Sequence, residues 1–497
     1  MTIYRALEER FCRIALVGNA IGVLHWDRSV MMPPGGAAAR GDQIAALAVI
    51  RHAMIAEPAL GGQLDQAAAQ SGGLDDWQSA NLAEMRRRHC HAVAVPADLV
   101  EALSKASSAC EIQWRDARRN ADYAAILPTF TEVLNLTRRM GEAKADAFGC
   151  AIYDALLDAY EPGGRAADID PVFDEYAAFL TEFLDAVLAR QETEVTPALP
   201  PGPFPIARQK ALVRRMAQAV GLDFESARLD ESLHPFSGGV PDDSRITTRY
   251  DVNDFSQAMM GVLHEVGHAM YERGLPAAWR LQPVGEARGM TMHESQSLLI
   301  EMQVCRSRDF MTWAAPVIRR EFDGEGSAWE AENLYRLATR VKRGLIRVDA
   351  DEVTYPAHVI LRYRLERAML TGDLALADLP GAWNDAMQSL LGVTPPNDAL
   401  GCLQDIHWYD GAWGYFPTYT LGAMAAAQIF AAATKSQPGI GPALGEGKFG
   451  PLMAWLREHV HGMGSLLPTG RLIEKATGRR FNDAAFKAHL RARYLSP

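Results

Sequence analysis

Apolar positions along this chain recur at helical rather than strand spacing over most of its length. Residues 2–24, 40–56, 75–90, 97–120, 122–148 and 170–193 each place apolar side chains on one face of a 3.6-residue turn, which predicts a helix over each. The same spacing returns at 253–273, 295–322, 327–345, 352–370 and 380–391, and again at 420–434, 449–463 and 481–494. SRITTRYDV, 244–252, alternates and is rich in β-branched residues, so it is the strand candidate. EVTPALPPGPFP, 194–205, is broken by prolines and reads as a long connection between two halves of one fold. No internal repeat or low-complexity tract interrupts the pattern. The expected fold is mainly α, one large helical domain over 1–497 with a small β-sheet near its middle.

Composition narrows the functional classes. The chain has 497 residues, 48% of them apolar, enough for a large buried core. Its net charge is -11 and it has no dense Lys/Arg block, which argues against nucleic acid as the main partner. Six scattered cysteines without a CxxC pair read as reduced, mostly buried small residues rather than a disulfide framework or thiolate zinc site. IALVGNAIGVL, 14–24, has the apolarity of a signal-peptide core. However, Glu8 and Glu9 precede it and HWDRSVMMPP follows, so an amphipathic first helix is expected. No apolar run is long enough to span a bilayer. A cytoplasmic protein with neither membrane nor nucleic acid as partner is the expectation.

The chemistry concentrates in GVLHEVGHAMYERG, 261–274. On a helix His264 and His268 share a face, close enough to grip one ion, and Glu265 lies beside them where it can polarise a water. Asn253 is the expected cap of this helix, and RGLP, 273–276, its stop. Gly261 and Gly267 sit in its interior at a cost of roughly 1 kcal/mol each against Ala, so something must approach the helix closely. Glu272 lies about 6 Å further along the axis, too far to share the ion. Tyr271 and Gly274 stand where a metzincin needs Gly and His, which excludes that class. Glu286, Glu294 and Glu301 remain as third ligands. Glu294 opens a second helix in TMHESQSLL, 291–299, where Thr291 and Glu294 also have capping-box spacing. A water would fill the fourth position of a catalytic site.

Several further segments occur in a recognisable order. They are LHWDRSVMMPPGGAAARGDQIAAL (24–47), HPF (234–236), DSRIT (243–247), HEVGHAMYERG (264–274), HESQS (293–297), IRVDAD (346–351) and LGVTPPNDALGCLQDIHWYDGAWGYFPTYTLG (391–422). With them the chain resembles, over nearly its full length, the carboxypeptidase Taq family of zinc metallocarboxypeptidases. The resemblance implies zinc ligands His264, His268 and Glu294, with Glu265 as general base. It also implies a helical fold with a deep substrate groove, a homodimer, one Zn2+ per chain with Co2+ as a substitute, and broad release of C-terminal residues from peptide substrates.

Peptide hydrolysis also needs a donor for the oxyanion, and Tyr415 and Tyr419 in GYFPTYTLG are the candidates, Tyr419 preferred. Otherwise both pack their rings and bond locally. Recognition of a free C-terminal carboxylate calls for arginine. Arg347 is the favoured anchor and Arg245 the second candidate, unless Asp243, Asp349 and Asp351, close in sequence, take them into internal salt bridges. His234 is a candidate substrate contact, and His293, next to Glu294 in sequence, a candidate support for the metal site. His407 has a place in the motif but no derivable role. The rivals are an oligopeptide endopeptidase with the same zinc chemistry, a helical binding protein without catalysis, and a structural zinc scaffold. The last usually fills all four positions with His and Cys, and no cysteine lies in either segment.

Overall fold

The computed structural model describes residues 2–232 and 234–496. Long helices form where the apolar spacing is helical: Ile3–Val30, Ala37–Ala56, Asp76–Val93, Ala97–Asn120, Tyr123–Phe148 and Ala166–Thr193. Local chemistry sets their ends. Asp75 and Gln78 close a capping box at the start of Asp76–Val93, and Asp122 accepts from the Ala125 N–H at the start of Tyr123–Phe148.

Three short strands follow the helix Ile206–Val220: β1 (Ala227–Glu231), β2 (Ser237–Val240) and β3 (Asp243–Thr248). β3 is central, parallel to β1 and antiparallel to β2. The expected strand is therefore present but ends at Thr248, short of residue 252. The remaining helices run Phe255–Gly274, Gly289–Leu298, Arg308–Glu321, Ala331–Ala338, Tyr355–Thr371, Leu379–Leu391, Pro417–Ser436, Gly450–His459, Thr469–Thr477 and Ala484–Tyr494, with shorter turns between.

Two expected long helices are broken. The one over 295–322 is a helix to Leu298, a π-helix over Leu299–Val304, and a new helix from Arg308 capped by the Ser307 hydroxyl. The one over 327–345 shrinks to Ala331–Ala338, after which the chain runs irregularly through Arg347.

One large apolar core joins residues on both sides of the Pro-rich segment: Phe173, Leu180 and Leu184 before it, Leu212, Val213 and Met216 after. A smaller core, Tyr4, Leu7, Phe11, Leu60, Leu64, Leu82 and Met85, belongs to the first helices. Among the described residues no single helix is long and apolar enough to cross a membrane.

The helix Ala484–Tyr494 is pinned by polar groups. Glu352, fully buried, accepts from Arg493 (2.8 Å), Tyr494 (3.1 Å) and Gln303 (3.1 Å), and lies 2.7 Å from His489. Arg493 also donates to the Met302 and Gln303 carbonyls, at 2.6 and 3.0 Å, in the π-helix. Burial opposes the charge on Glu352, but Arg493 and His489 outweigh it and hold the carboxyl down at about 2.

Candidate metal centre

The helix Phe255–Gly274 is capped by Asp254, whose carboxylate accepts from the Ser256 and Gln257 N–H groups at 2.8 and 3.3 Å. Asn253, the expected cap, instead turns its own N–H and amide onto Asp251. Its Gly267 is where the second helix crosses. A Cβ there would stand 2.5 Å from the Gln296 carbonyl oxygen and 2.6 Å from Ser297 Cα. Gly261 meets only ordinary contacts. The close approach expected of these glycines is thus made at one of them, by the backbone of Gly289–Leu298.

That second helix does not start with a Thr291–Glu294 capping box. It begins at Gly289, in the left-handed region at φ +68°, and its early N–H groups go to the Tyr160 carbonyl (from Met290, 2.7 Å) and the Glu161 carboxylate (from Thr291, 3.0 Å). Thr291 therefore lies inside the first turn, and the Glu294 carboxylate faces the first helix. Its Oε2 is 3.3 Å from His268 Nε2 and 3.8 Å from His264 Nε2. The three ligand atoms lie within 4.8 Å of one another. Donors about 2 Å from one tetrahedral ion stand about 3.3 Å apart, so His264, His268 and Glu294 fit a single metal ion.

The outer nitrogens of both imidazoles are occupied. His264 Nδ1 lies 3.1 Å from Glu301 Oε2, and Arg306 donates to the other Glu301 oxygen at 2.6 Å. His268 Nδ1 lies 2.6 Å from His293 Nδ1, whose Nε2 is 2.9 Å from Glu272. The carboxylate of Glu272 draws the His293 proton to Nε2, so His293 Nδ1 accepts and His268 Nδ1 donates. With Nδ1 so engaged, each imidazole presents its Nε2 towards Glu294.

Electrostatics separate the roles. Burial disfavours charge on His264, but Glu294, Glu301 and Glu265 outweigh it and its pKa rises to about 10. Burial depresses His268 to about 4 against the pull of Glu294. Burial also opposes ionisation of Glu294 and Glu301, yet His264 for the first and Arg306 for the second hold both carboxyls low. Glu265 is the exception: burial pushes it up to about 7, with His264 and the Ser237 hydroxyl of β2 pulling the other way.

The helix Pro417–Ser436 backs directly onto Glu294. A Cβ at Gly422 would meet Glu294 Cβ at 2.8 Å. One turn earlier Tyr419 lies 3.2 Å from His407 Nε2, its ring 4.7 Å from the Arg347 guanidinium. Tyr415 packs edge-on against Tyr160 and Tyr419. Burial raises both hydroxyls, Tyr419 to about 12, so both stay protonated at neutral pH.

Arg347 does not pair with Asp349 or Asp351. Asp351 accepts from the Lys342, Val353 and Thr354 N–H groups instead. The fork of Arg347 closes on Asp405, at 2.9 Å from both Nε and Nη2, and the buried Arg362 reaches the same carboxylate at 2.7 Å. Arg245, on β3, forks onto Asp243, its neighbour in sequence. His234 is exposed, and its carbonyl accepts from Ser232. It is not among the residues gathered around the three ligands.

Sequence reasoning did not find Glu272, Arg306, Asp405 or Arg362 as parts of this assembly. Arg362 had one available signal: it is an arginine that directly follows the apolar run Val359–Leu361.

The chain is similar to known proteins over nearly its full length. The profile of carboxypeptidase Taq (M32) metallopeptidases matches residues 6–494. Thermostable carboxypeptidase 1 of Thermus thermophilus is 37% identical over 503 residues, covering 99% of this chain and 98% of its own. Carboxypeptidase 1 of Bacillus subtilis is 31% identical over 471 residues, covering 95% and 93%. Among solved structures, Trypanosoma cruzi metallocarboxypeptidase 1 superposes with a TM-score of 0.97 at 38% identity, covering 99% of both chains. The M32 carboxypeptidase from Deinococcus radiodurans R1 does so with 0.93 at 35%, also covering 99% of both.

Proposed function

The chain belongs to the carboxypeptidase Taq (M32) family of metallopeptidases, and from that premise we propose that it is a zinc-dependent carboxypeptidase that trims peptides of broad sequence from their C-termini. The observation that carries the reading is the convergence of His264, His268 and Glu294 beside Glu265, with both imidazole Nδ1 atoms tied off. Two nitrogens, one carboxylate oxygen and an open fourth position are the donor set of a catalytic zinc site, and Co2+ accepts the same donors. When bound, such an ion supplies Lewis acidity and lowers the pKa of water.

The residues of the chain supply the rest. Glu265, raised to about 7, takes a proton from the attacking water near neutral pH and returns it to the leaving amine. The protonated Tyr419 hydroxyl, with Tyr415 beside it, donates to the oxyanion. Arg347 holds the C-terminal carboxylate of the peptide, with Arg245 as the second candidate for that contact and His234 as a further substrate contact. Six free cysteines suit a reducing, cytoplasmic setting. The enzyme acts as a homodimer. Support for a second copy comes from apolar side chains left exposed on the first two helices, Leu16, Val49 and Ile50.

The test is a time course on one peptide and its C-terminal amide with metal-loaded enzyme and a Glu265→Gln control. Stepwise loss of residues from the free acid alone, abolished in the control, is expected. Internal cuts in both peptides would make it an endopeptidase.

A further inference from the structure

Behind Tyr419 lie two guanidinium groups and one carboxylate. Arg347 and Arg362 both bind Asp405, and the side chains of the three are 7%, 0% and 12% exposed. Among the described residues neither arginine has a second acidic partner within ion-pair distance. The other titratable groups that act on them carry no charge at neutral pH. Burial, with the two arginines, depresses His358 to about 3 and His407 to about 4, and burial raises Tyr355 and Tyr419. The cluster therefore holds two positive charges against one negative.

An excess charge in a buried cluster is costly unless an anion reaches it. The two arginines are not equivalent. Arg362 is sealed between the Trp383 ring, at 4.5 Å, and the His358 carbonyl, to which Nη1 donates at 2.6 Å. Arg347 keeps the residual exposure, and its Nη1 makes no hydrogen bond among the described residues. It also lies against Tyr419, whose helix backs onto Glu294. The side of the cluster that can meet a ligand is thus the side towards the metal centre.

We propose that Arg362 is a positioning residue for the peptide's C-terminal carboxylate. It draws on the charge of Asp405, which leaves Arg347 under-neutralised, and the incoming carboxylate completes a cluster of two positive and two negative charges. This rests on the reading of Arg347 as the carboxylate anchor. Without Arg362, Arg347 and Asp405 form a closed neutral pair with little left to attract an anion.

Arg362→Met, Arg362→Lys and Arg347→Met are compared on one free-acid peptide at saturating metal. Binding of that peptide and its amide is measured in parallel in the inactive Glu265→Gln background. Arg362→Met raises KM and the free-acid Kd on the order of tenfold to a hundredfold, the loss of one unit charge a few ångströms away at partial screening. It leaves kcat within about threefold and amide binding unchanged, because the charge acts on carboxylate capture alone. Arg362→Lys, which keeps the charge, recovers most of the loss. Arg362→Gln replaces the methionine variant if that one does not fold, with the same expectation. If KM and Kd are unchanged without Arg362 while Arg347→Met raises both, the positioning role is overturned and the anchor stands. If Arg347→Met also changes neither, the anchor reading itself falls. A drop in kcat with KM unchanged would mark Arg362 as a structural support only.

Discussion

Adding one methyl group at Gly267 tests how tightly the metal centre depends on the crossing of two helices. The new Cβ would stand 2.5 Å from the Gln296 carbonyl oxygen and 2.6 Å from Ser297 Cα, both backbone atoms that no rotamer change can move aside. Ordinary contacts begin near 3.4 Å, so the helices must part by about 0.8 Å or more. His264 and His268 ride on one of them and Glu294 on the other, while metal–ligand distances tolerate only about 0.2 Å. Overpacking costs about 1–3 kcal/mol, offset by the roughly 1 kcal/mol that alanine gains over glycine inside a helix. Gly267→Ala should therefore weaken metal binding by about tenfold to a hundredfold, the scale seen when ligand support is disturbed. Gly261→Ala is the control. It sits on the same helix, its nearest new contacts are 3.7 and 3.9 Å, and it should stabilise the protein by up to about 1 kcal/mol. Chelator competition measures metal affinity, and thermal melts of the metal-free proteins measure stability. Wild-type affinity in Gly267→Ala, or melting shifts of the same sign in both variants, would refute the reasoning.

Other outcomes follow from the same contacts. Glu301→Gln removes the carboxylate behind His264 and leaves Arg306 unpaired, so metal affinity should fall about tenfold to a hundredfold by the same chelator assay. Metal affinity should rise with pH, by about tenfold per unit around neutrality, because His264 holds its proton up to about 10 until an ion displaces it. Affinities equal at pH 6, 7 and 8 would contradict this. Glu352→Gln should cost about 3–5 kcal/mol in urea unfolding at pH 7, since Arg493 and His489 lose a buried partner. Folding holds the Glu352 carboxyl at about 2 against an ordinary value of 4.5, so its contribution is complete above about 4.5 and is lost as pH falls towards 2. The gap between wild type and variant should close over that window.

What was legible in the sequence was what is local. His264, Glu265 and His268 share a face by helix geometry alone, and a glycine inside that helix announced a close neighbour. β3 alternates and was visible. β1, with its acids in ARLDE, and β2, with its glycines in SGGV, do not alternate and were not. The π-helix was hidden because LLIEMQV is apolar at any helical pitch. Asp405 lies 58 residues from Arg347, and no spacing rule links them. The acids nearest in sequence drew the expectation instead. Glu294 kept a second reading as a cap because the preceding chain gave no sign that Tyr160 and Glu161, over a hundred residues away, would satisfy the helix start. The family resemblance reached past these limits, since ordered motifs carry contacts that periodicity does not.

The hold of Arg493 on the π-helix has a consequence for how the protein comes into being. The three ligand residues leave the ribosome within a span of some thirty positions, but the Met302 carbonyl waits for a partner 191 residues downstream. The turn that presents Glu301 to His264 thus receives its last support only when the helix Ala484–Tyr494 has been made and docked. A nascent chain carries His264, His268 and Glu294 long before their surroundings are complete, and the making of that distant helix becomes a checkpoint on metal capture.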